Sequence, residues 1–197
     1  MPWPAPLTLR GTIVTLEPLR PDHHDGLAAA VEDGALWNLW YTKVPTPQTM
    51  MADIERRLGL QSKGSMLPLV VIANATKRIV GATSYMNIDA DNRRVEIGST
   101  WYAASVQRTG LNTECKRLLL THAFETLDCI AVEFRTSVFN RASRRAIERL
   151  GARLDGILRN HMTHSDGTLR DSCVYSILAG EWPAVRSNLD WMLAMPR

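Results

Sequence analysis

The chain has 197 residues, 45% hydrophobic and 22% charged. That is the length and balance of one large globular domain able to bury its own core, and it excludes disordered, collagen-like and low-complexity chains. A net charge of +3 is too small to name a polyanionic partner.

The charge is nonetheless unusual in kind, because Lys43, Lys63, Lys77 and Lys116 are the only lysines among 23 basic residues. Six arginines fall between Arg141 and Arg159 against Glu148 and Asp155 alone. Arginine grips phosphate and carboxylate bidentately, so this excess suggests a small anionic ligand, with a solvated helix face as the equal alternative. Cys115, Cys129 and Cys173 are widely separated, sit in apolar runs, and lack the spacing of a zinc site or disulfide framework, so they read as reduced core residues. The first residues, MPWPAPLTLRG, carry no continuous apolar segment, and the expectation is a soluble cytoplasmic protein without a membrane partner.

In chain order, Thr12 to Leu19 predicts an opening strand, and Asp22 a cap for a helix reaching Val31. The aromatic segment Leu36 to Tyr41 follows. Thr46-Pro47 opens a second helix with Met51, Ile54 and Leu58 on one face. Pro68 to Ala73, Ile79 to Met86 and Val95 to Tyr102 predict three consecutive antiparallel strands. A long helix is predicted over Thr113–Leu127, then a strand over Ala131–Val138 and a helix over Asn140–Leu150, capped by Asn140 and stopped by Gly151. Leu154 to Arg159 and Arg170 to Leu178 make a final hairpin around Ser165-Asp166-Gly167. The chain ends in a short helix whose apolar Trp191, Met192 and Leu193 cover either the core or a second copy of the chain. The order β-α-α-β-β-β-α-β-α-β-β predicts an α/β (α+β) fold: one mixed, mostly antiparallel sheet flanked by helices. A single domain over residues 1–197 is expected, with its core at about 8–180 and a helical tail at 181–197.

The most informative stretch is Glu96-Ile97-Gly98-Ser99-Thr100-Trp101-Tyr102, followed by a loop and then Gln107-Arg108-Thr109-Gly110-Leu111-Asn112-Thr113 at the start of the long helix. A strand feeding a glycine-containing loop into a helix N-terminus turns free N–H groups and the positive dipole end toward an anion. It is neither a Walker loop nor a dinucleotide fingerprint, and by itself a plain turn explains it better. The loop resembles the pyrophosphate-binding Gln/Arg-x-x-Gly-x-Gly/Ala motif of the GNAT acetyltransferase superfamily, with Gln107 and Gly110 in place and Asn112 at the sixth position. Asn140-Arg141-Ala142-Ser143, closing with Arg149-Leu150-Gly151-Ala152, resembles the Asn-x-x-Ser…Leu-Gly-Phe pattern of the RimJ/RimL-type ribosomal-protein alanine acetyltransferases, with Ala152 replacing the aromatic. Leu19-Arg20-Pro21 and Asp166-Gly167-x-x-Arg170-Asp171…Tyr175 are similar to the same branch, so the resemblance covers residues 8–193.

The resemblance implies the GNAT fold and acetyl-CoA as cosubstrate, with no metal. It implies that the strand ending at Trp101-Tyr102 splays from the one beginning near Ala131. Coenzyme A would lie in the gap, its pantetheine against Thr100, Trp101 and Tyr102 and its diphosphate against the N–H groups of Arg108 to Thr113. Asn140 would hold the pantetheine, with Arg145 beside it, and Ser143 would be the general acid for the departing thiolate. An N-cap pair made by Asn140 and Ser143 is the plainer alternative. A backbone N–H near Trp101 or Tyr102 would polarise the acetyl carbonyl.

An α-amine of pKa about 8 gives up its proton at neutral pH for roughly 1.4 kcal/mol, whereas a lysine at about 10.4 needs nearer 4.6 kcal/mol. An α-amine acceptor therefore requires only a weak base. Glu96 is the candidate carboxylate, and equally an outward ion-pair partner. Trp37, Trp40 and Tyr41 are candidate acceptor-binding residues, with core packing as the alternative. His161 and His164 near Asp166 lack a further ligand for a metal and read as solvent-facing or substrate-rim residues. The function expected is transfer of acetyl from acetyl-CoA to a protein N-terminus or small amine by direct attack. A non-catalytic acyl-CoA-binding module is the alternative, and the near-neutral total argues against nucleic acid.

Overall fold

The computed structural model describes residues 3–164 and 166–195. One eight-stranded sheet runs through it in the order β1-β2-β3-β4-β5-β6-β8-β7. The strands are β1 (Leu9–Arg10), β2 (Val14–Pro18), β3 (Met66–Ala73), β4 (Arg78–Asp89), β5 (Arg94–Tyr102), β6 (Ala131–Ser137), β7 (Arg153–Thr163) and β8 (Leu169–Leu178). Every neighbouring pair is antiparallel except β5 and β6. The expected mixed, mostly antiparallel sheet flanked by helices is the architecture found.

Two helices, α1 (His24–Glu32) and α2 (Met50–Ser62), cover one face, where Leu27, Val31, Met50 and Ile54 meet Val70, Ala82 and Trp101. Three others, α3 (Leu111–Thr121), α4 (Arg141–Leu150) and α5 (Trp182–Ala194), cover the other face over Leu69, Val71, Val95, Ile97, Val132 and Phe134. Strand β3 is buried on both faces, which is why Leu69 to Ala73 is a continuous apolar run rather than an alternating one. The three cysteines are buried free thiols.

Local chemistry moves several boundaries. The opening strand is a hairpin, β1 and β2, with a turn at Gly11, Thr12 and Ile13. Asp22 is not a helix cap: its carboxylate takes the Arg20 Nε–H at 3.1 Å, and Pro21–His23 forms a 3-10 turn ahead of α1. Thr46 caps as expected, its Oγ1 accepting the Thr49 N–H at 3.2 Å with Pro47 next, but another 3-10 turn precedes α2. The buried face of α2 is then Met50, Ile54 and Arg57, while Met51 is 38% exposed. The long helix stops at Thr121 and widens into a π-turn at His122–Thr126. The Tyr85 hydroxyl donates to the Leu119 carbonyl at 2.6 Å, a competing bond of the kind that opens the helical ladder there. The final hairpin is longer than expected, and Ser165 of its turn lies outside the described residues, as do residues 1–2 and 196–197 at the chain ends. In α5, Met192 packs on the core and Trp191 is 60% exposed. Among the described residues no helix is long and apolar enough to cross a membrane.

Candidate active site

The parallel seam is short. Arg94, Val95 and Glu96 pair with Ala131, Val132 and Glu133, and beyond that point β5 has no strand partner on this side among the described residues. The remainder of β6 pairs only with β8. Ile97 to Tyr102 therefore lines one wall of an open cleft, with Glu96 at its apex and the N-termini of α3 and α4 beyond the strand ends. The family resemblance implied a splay between these same two strands.

A bulge lies on that wall. Ala82 faces Trp101 and Ser84 faces Gly98, so Ser99 and Thr100 together oppose Thr83, and Ser99 has a φ of 50°. The Ala103 N–H donates to Val80 O on β4 at 2.9 Å. Strand alternation then turns the Trp101 N–H toward β4 as well, and those of Tyr102 and Thr100 toward the cleft. The Trp101 side chain is 5% exposed and packs beneath α1 and α2, so it takes no part in the cleft surface. Tyr102 is packed against the opposite core with its hydroxyl buried.

The loop into α3 is built by its own side chains. Gln107 Nε2 donates to the Tyr102 carbonyl at 2.9 Å, and Thr109 Oγ1 accepts the Leu111 N–H at 3.2 Å. Arg108 adopts a φ of 61° and is exposed. A Cβ on Gly110 would stand 2.9 Å from Ile13 Cδ1, so this glycine also admits the β1–β2 turn. The Leu111 and Thr113 side chains point into the core, leaving Asn112 half-buried at the helix start. Glu114, one turn along, accepts backbone N–H bonds from Thr12, Ile13 and Val14 at 3.0, 2.7 and 2.8 Å.

At the other helix, Asn140 Oδ1 accepts the Ser143 N–H at 3.0 Å. The cap uses the serine backbone and leaves the Ser143 hydroxyl without a side-chain partner among the described residues. Arg144 Nε donates to the Tyr175 hydroxyl at 3.0 Å, and that hydroxyl donates to Glu148 Oε1 at 2.7 Å, tying α4 to β8. Arg108, Arg141 and Arg145 make no ion pair among the described residues.

Glu96 is 5% exposed, accepts from Asn87 Nδ2 at 2.6 Å, and lies 3.5 Å from Arg135 Nε. Burial pushes its carboxyl above the ordinary glutamate range, against the opposing pull of Asn87 and Arg135. Glu133 joins the group through Arg135 at 2.9 Å and through Arg94. A polar cavity of about 140 Å³ opens among Asn87, Arg94, Glu96, Glu133 and Arg135. Glu96 is thus an inward carboxylate that also has a cationic neighbour.

The aromatic segment divides. Trp37 packs on the core under α1 and α2. Trp40, 56% exposed, lies 5.2 Å from Phe139, 5.5 Å from His164 and 5.8 Å from Tyr41 by ring centroids. It therefore bridges the loop after α1 to the residue preceding Asn140 and to the β7–β8 turn. His164 is 8% exposed against this indole and so is not solvent-facing, and His161 Nδ1 meets Ser172 Oγ at 3.1 Å. No metal-ligating cluster occurs among the described residues.

The Acetyltransferase (GNAT) domain family matches residues 14–153. The chain belongs to the GNAT acetyltransferases. YdaF of Bacillus subtilis (strain 168), provisionally named a ribosomal N-acetyltransferase, is 36% identical over 104 residues, or 53% of this chain and 56% of that protein. The crystal structure of a GCN5-related N-acetyltransferase from Brucella melitensis is 33% identical with a TM-score of 0.84, over 97% of this chain and 87% of that one. Mycobacterium smegmatis RimJ in complex with CoA-disulfide shares the fold at 21% identity and a TM-score of 0.77, over 95% and 93% of the two chains. The chain spans about half the length of the curated relatives it matches.

Arg57, Lys116 and Glu114 belong to the cleft's supporting structure and escaped the sequence reading, because a charged residue at an apolar-periodic position is ordinarily counted as surface. Asp53, one turn before Arg57, was the available signal for a buried guanidinium.

Proposed function

We propose that this acetyltransferase moves an acetyl group from acetyl-CoA to a primary amine, a protein N-terminus or a small amine, by direct attack within a single domain. The observation that carries the reading is the stretch Ile97 to Tyr102, paired with β4 but open along its other edge toward two helix N-termini. A strand edge in this state offers N–H groups to the pantetheine amides, and the α3 N-terminus with Arg108 suits the diphosphate. The unpaired guanidiniums of Arg141 and Arg145 suit the remaining phosphate.

Within that reading, the Tyr102 N–H is the donor best directed at the acetyl carbonyl, where it would stabilise negative charge as the amine attacks. Glu96, inward at the apex with an elevated pKa, is placed to take the amine proton directly or through one water. Ser143 donates to the departing thiolate, while Asn140 binds the pantetheine and caps α4 with the same carbonyl oxygen. Trp40 and Tyr41 border the acceptor entrance. All these groups come from the protein itself, with no metal.

The test is an acetyl-transfer screen over peptide α-amines, lysine peptides, polyamines and amino acids, read by thiol release and mass spectrometry. Acetylation of one amine class at the expense of the others is the expected result. Tight acetyl-CoA binding with no transfer to any amine would replace this reading with a binding module.

A further inference from the structure

The bulge at Ser99-Thr100 is held from both faces of the sheet by buried cations. From the α2 side, Arg57, 3% exposed, donates through both terminal nitrogens to the Ser99 carbonyl at 3.3 Å and through one of them to Ser84 Oγ at 3.2 Å. Its Nε is fixed by Asp53 at 2.6 Å, and Asp53 is fixed in turn by Arg56 at 2.6 Å. From the α3 side, Lys116, 6% exposed, donates to Thr100 Oγ1 at 3.1 Å, and that oxygen also meets Thr83 Oγ1 at 2.8 Å. No carboxylate pairs with Lys116 among the described residues.

Burying a cation against a single neutral hydroxyl is expensive, and packing alone would be served better by leucine or methionine. Both side chains end on the two residues that constitute the bulge, immediately before the N–H groups that alternation turns into the cleft. We propose that Arg57 and Lys116 are positioning residues that clamp the bulge from opposite faces, keeping the Thr100 and Tyr102 N–H groups turned into the cleft and the Tyr102 N–H on the acyl carbonyl. The Ser99 carbonyl, pulled out of the sheet by Arg57, cannot swing back to satisfy β4. The Thr100 side chain, tethered by Lys116, cannot rotate into the cleft. The proposal rests on the acetyl-transfer reading, and it adds to that reading the two side chains that fix the electrophilic end of the site.

The experiment uses full-length protein and acetyl-CoA labelled with ¹³C at the thioester carbonyl, with the infrared carbonyl frequency read in the bound state. In the wild type the frequency falls below that of free acetyl-CoA. In Lys116→Met and Arg57→Met most of that fall disappears, and kcat drops about 10- to 100-fold while KM for acetyl-CoA stays within about threefold. Arg57→Lys recovers part of both effects, since an ammonium still reaches a carbonyl. If Lys116→Met does not fold, Thr100→Val takes its place, because it deletes the Lys116 acceptor at constant shape. A bound-state frequency and kcat unchanged by both substitutions overturn the clamp, as does a loss confined to acetyl-CoA affinity. A wild type that shifts the carbonyl frequency yet acetylates no amine overturns the transfer reading and leaves the clamp standing. A wild type that does not bind acetyl-CoA overturns both.

Discussion

The Glu96 carboxylate lies over Gly98, two residues further along the same face of β5. A Cβ built on Gly98 would stand 2.8 Å from Glu96 Oε1 and 3.0 Å from Met86 Sδ. The glycine of the Glu-Ile-Gly stretch is therefore a matter of space, keeping room for a carboxylate that leans from the paired end of the strand toward the splayed end. Gly98→Ala should displace that carboxylate. The expected outcome is a fall in kcat with acetyl-CoA affinity retained, measured by steady-state kinetics beside calorimetric titration; equal losses in both would show a general collapse of the strand instead.

Glu96 itself gives a pH prediction. Because burial raises its folded pKa, the ionised form is disfavoured in the native state, so its effect on stability is most favourable below the unfolded pKa and is lost as pH rises through the folded value. Glu96→Gln should thus leave the melting temperature at pH 7 unchanged or higher. Turnover should fall about 10²- to 10⁴-fold if the carboxylate is the base. The acid limb of the wild-type kcat profile should lie above the ordinary glutamate range and vanish in the variant.

The α4 cap separates two roles that a single motif combines. Asn140→Ala removes the side-chain acceptor and should cost about 1 kcal/mol in denaturant unfolding. Ser143→Ala keeps the backbone N–H that the cap uses, so stability should be unchanged while turnover falls. Full activity in Ser143→Ala would remove the hydroxyl from the chemistry.

How much of this was legible beforehand varied with the kind of physics involved. Apolar periodicity located the helices and most strands, and the Asn140 cap and Gly151 stop were readable because capping is local chemistry. The β1–β2 hairpin was not readable as such, since its turn is ordered by Glu114, about a hundred residues away in sequence. The burial of Arg57 depends on a carbonyl forty-two positions away that only the bulge exposes. The splay of β5 from β6 was anticipated only through family likeness; no local pattern in either strand announces that pairing stops after three residues.

Glu114 supplies the next prediction. Its carboxylate accepts three consecutive backbone N–H groups and anchors the N-terminal hairpin to the first turns of α3. Glu114→Gln places an amide donor against backbone donors, and the expected loss is about 3 kcal/mol, or roughly 6–12 °C in melting temperature. Hydrogen exchange should quicken at Thr12 to Val14 before it does in the central strands.

Trp40 touches Phe139 and His164 while more than half exposed, so it closes one side of the proposed acceptor entrance at little cost to the core. Trp40→Ala should raise KM for the amine and leave KM for acetyl-CoA and the melting temperature nearly unchanged. Trp37→Ala, by contrast, should lower stability, because its indole packs under α1 and α2.

The brevity of the parallel seam has one more consequence. Five strands lie on one side of it and three on the other, and among the described residues the strand pairing that stitches the two groups runs only from Arg94 to Glu96, with one further backbone bond from the Ile130 N–H to the Arg93 carbonyl at 3.0 Å. A ligand laid along the open edge of β5 would serve as a surrogate strand, lending the sheet some of the cohesion its own backbone withholds. Occupancy should then be felt as mechanical and thermal reinforcement of the entire molecule, and a hundredfold excess of ligand over its dissociation constant would be worth about 2.7 kcal/mol.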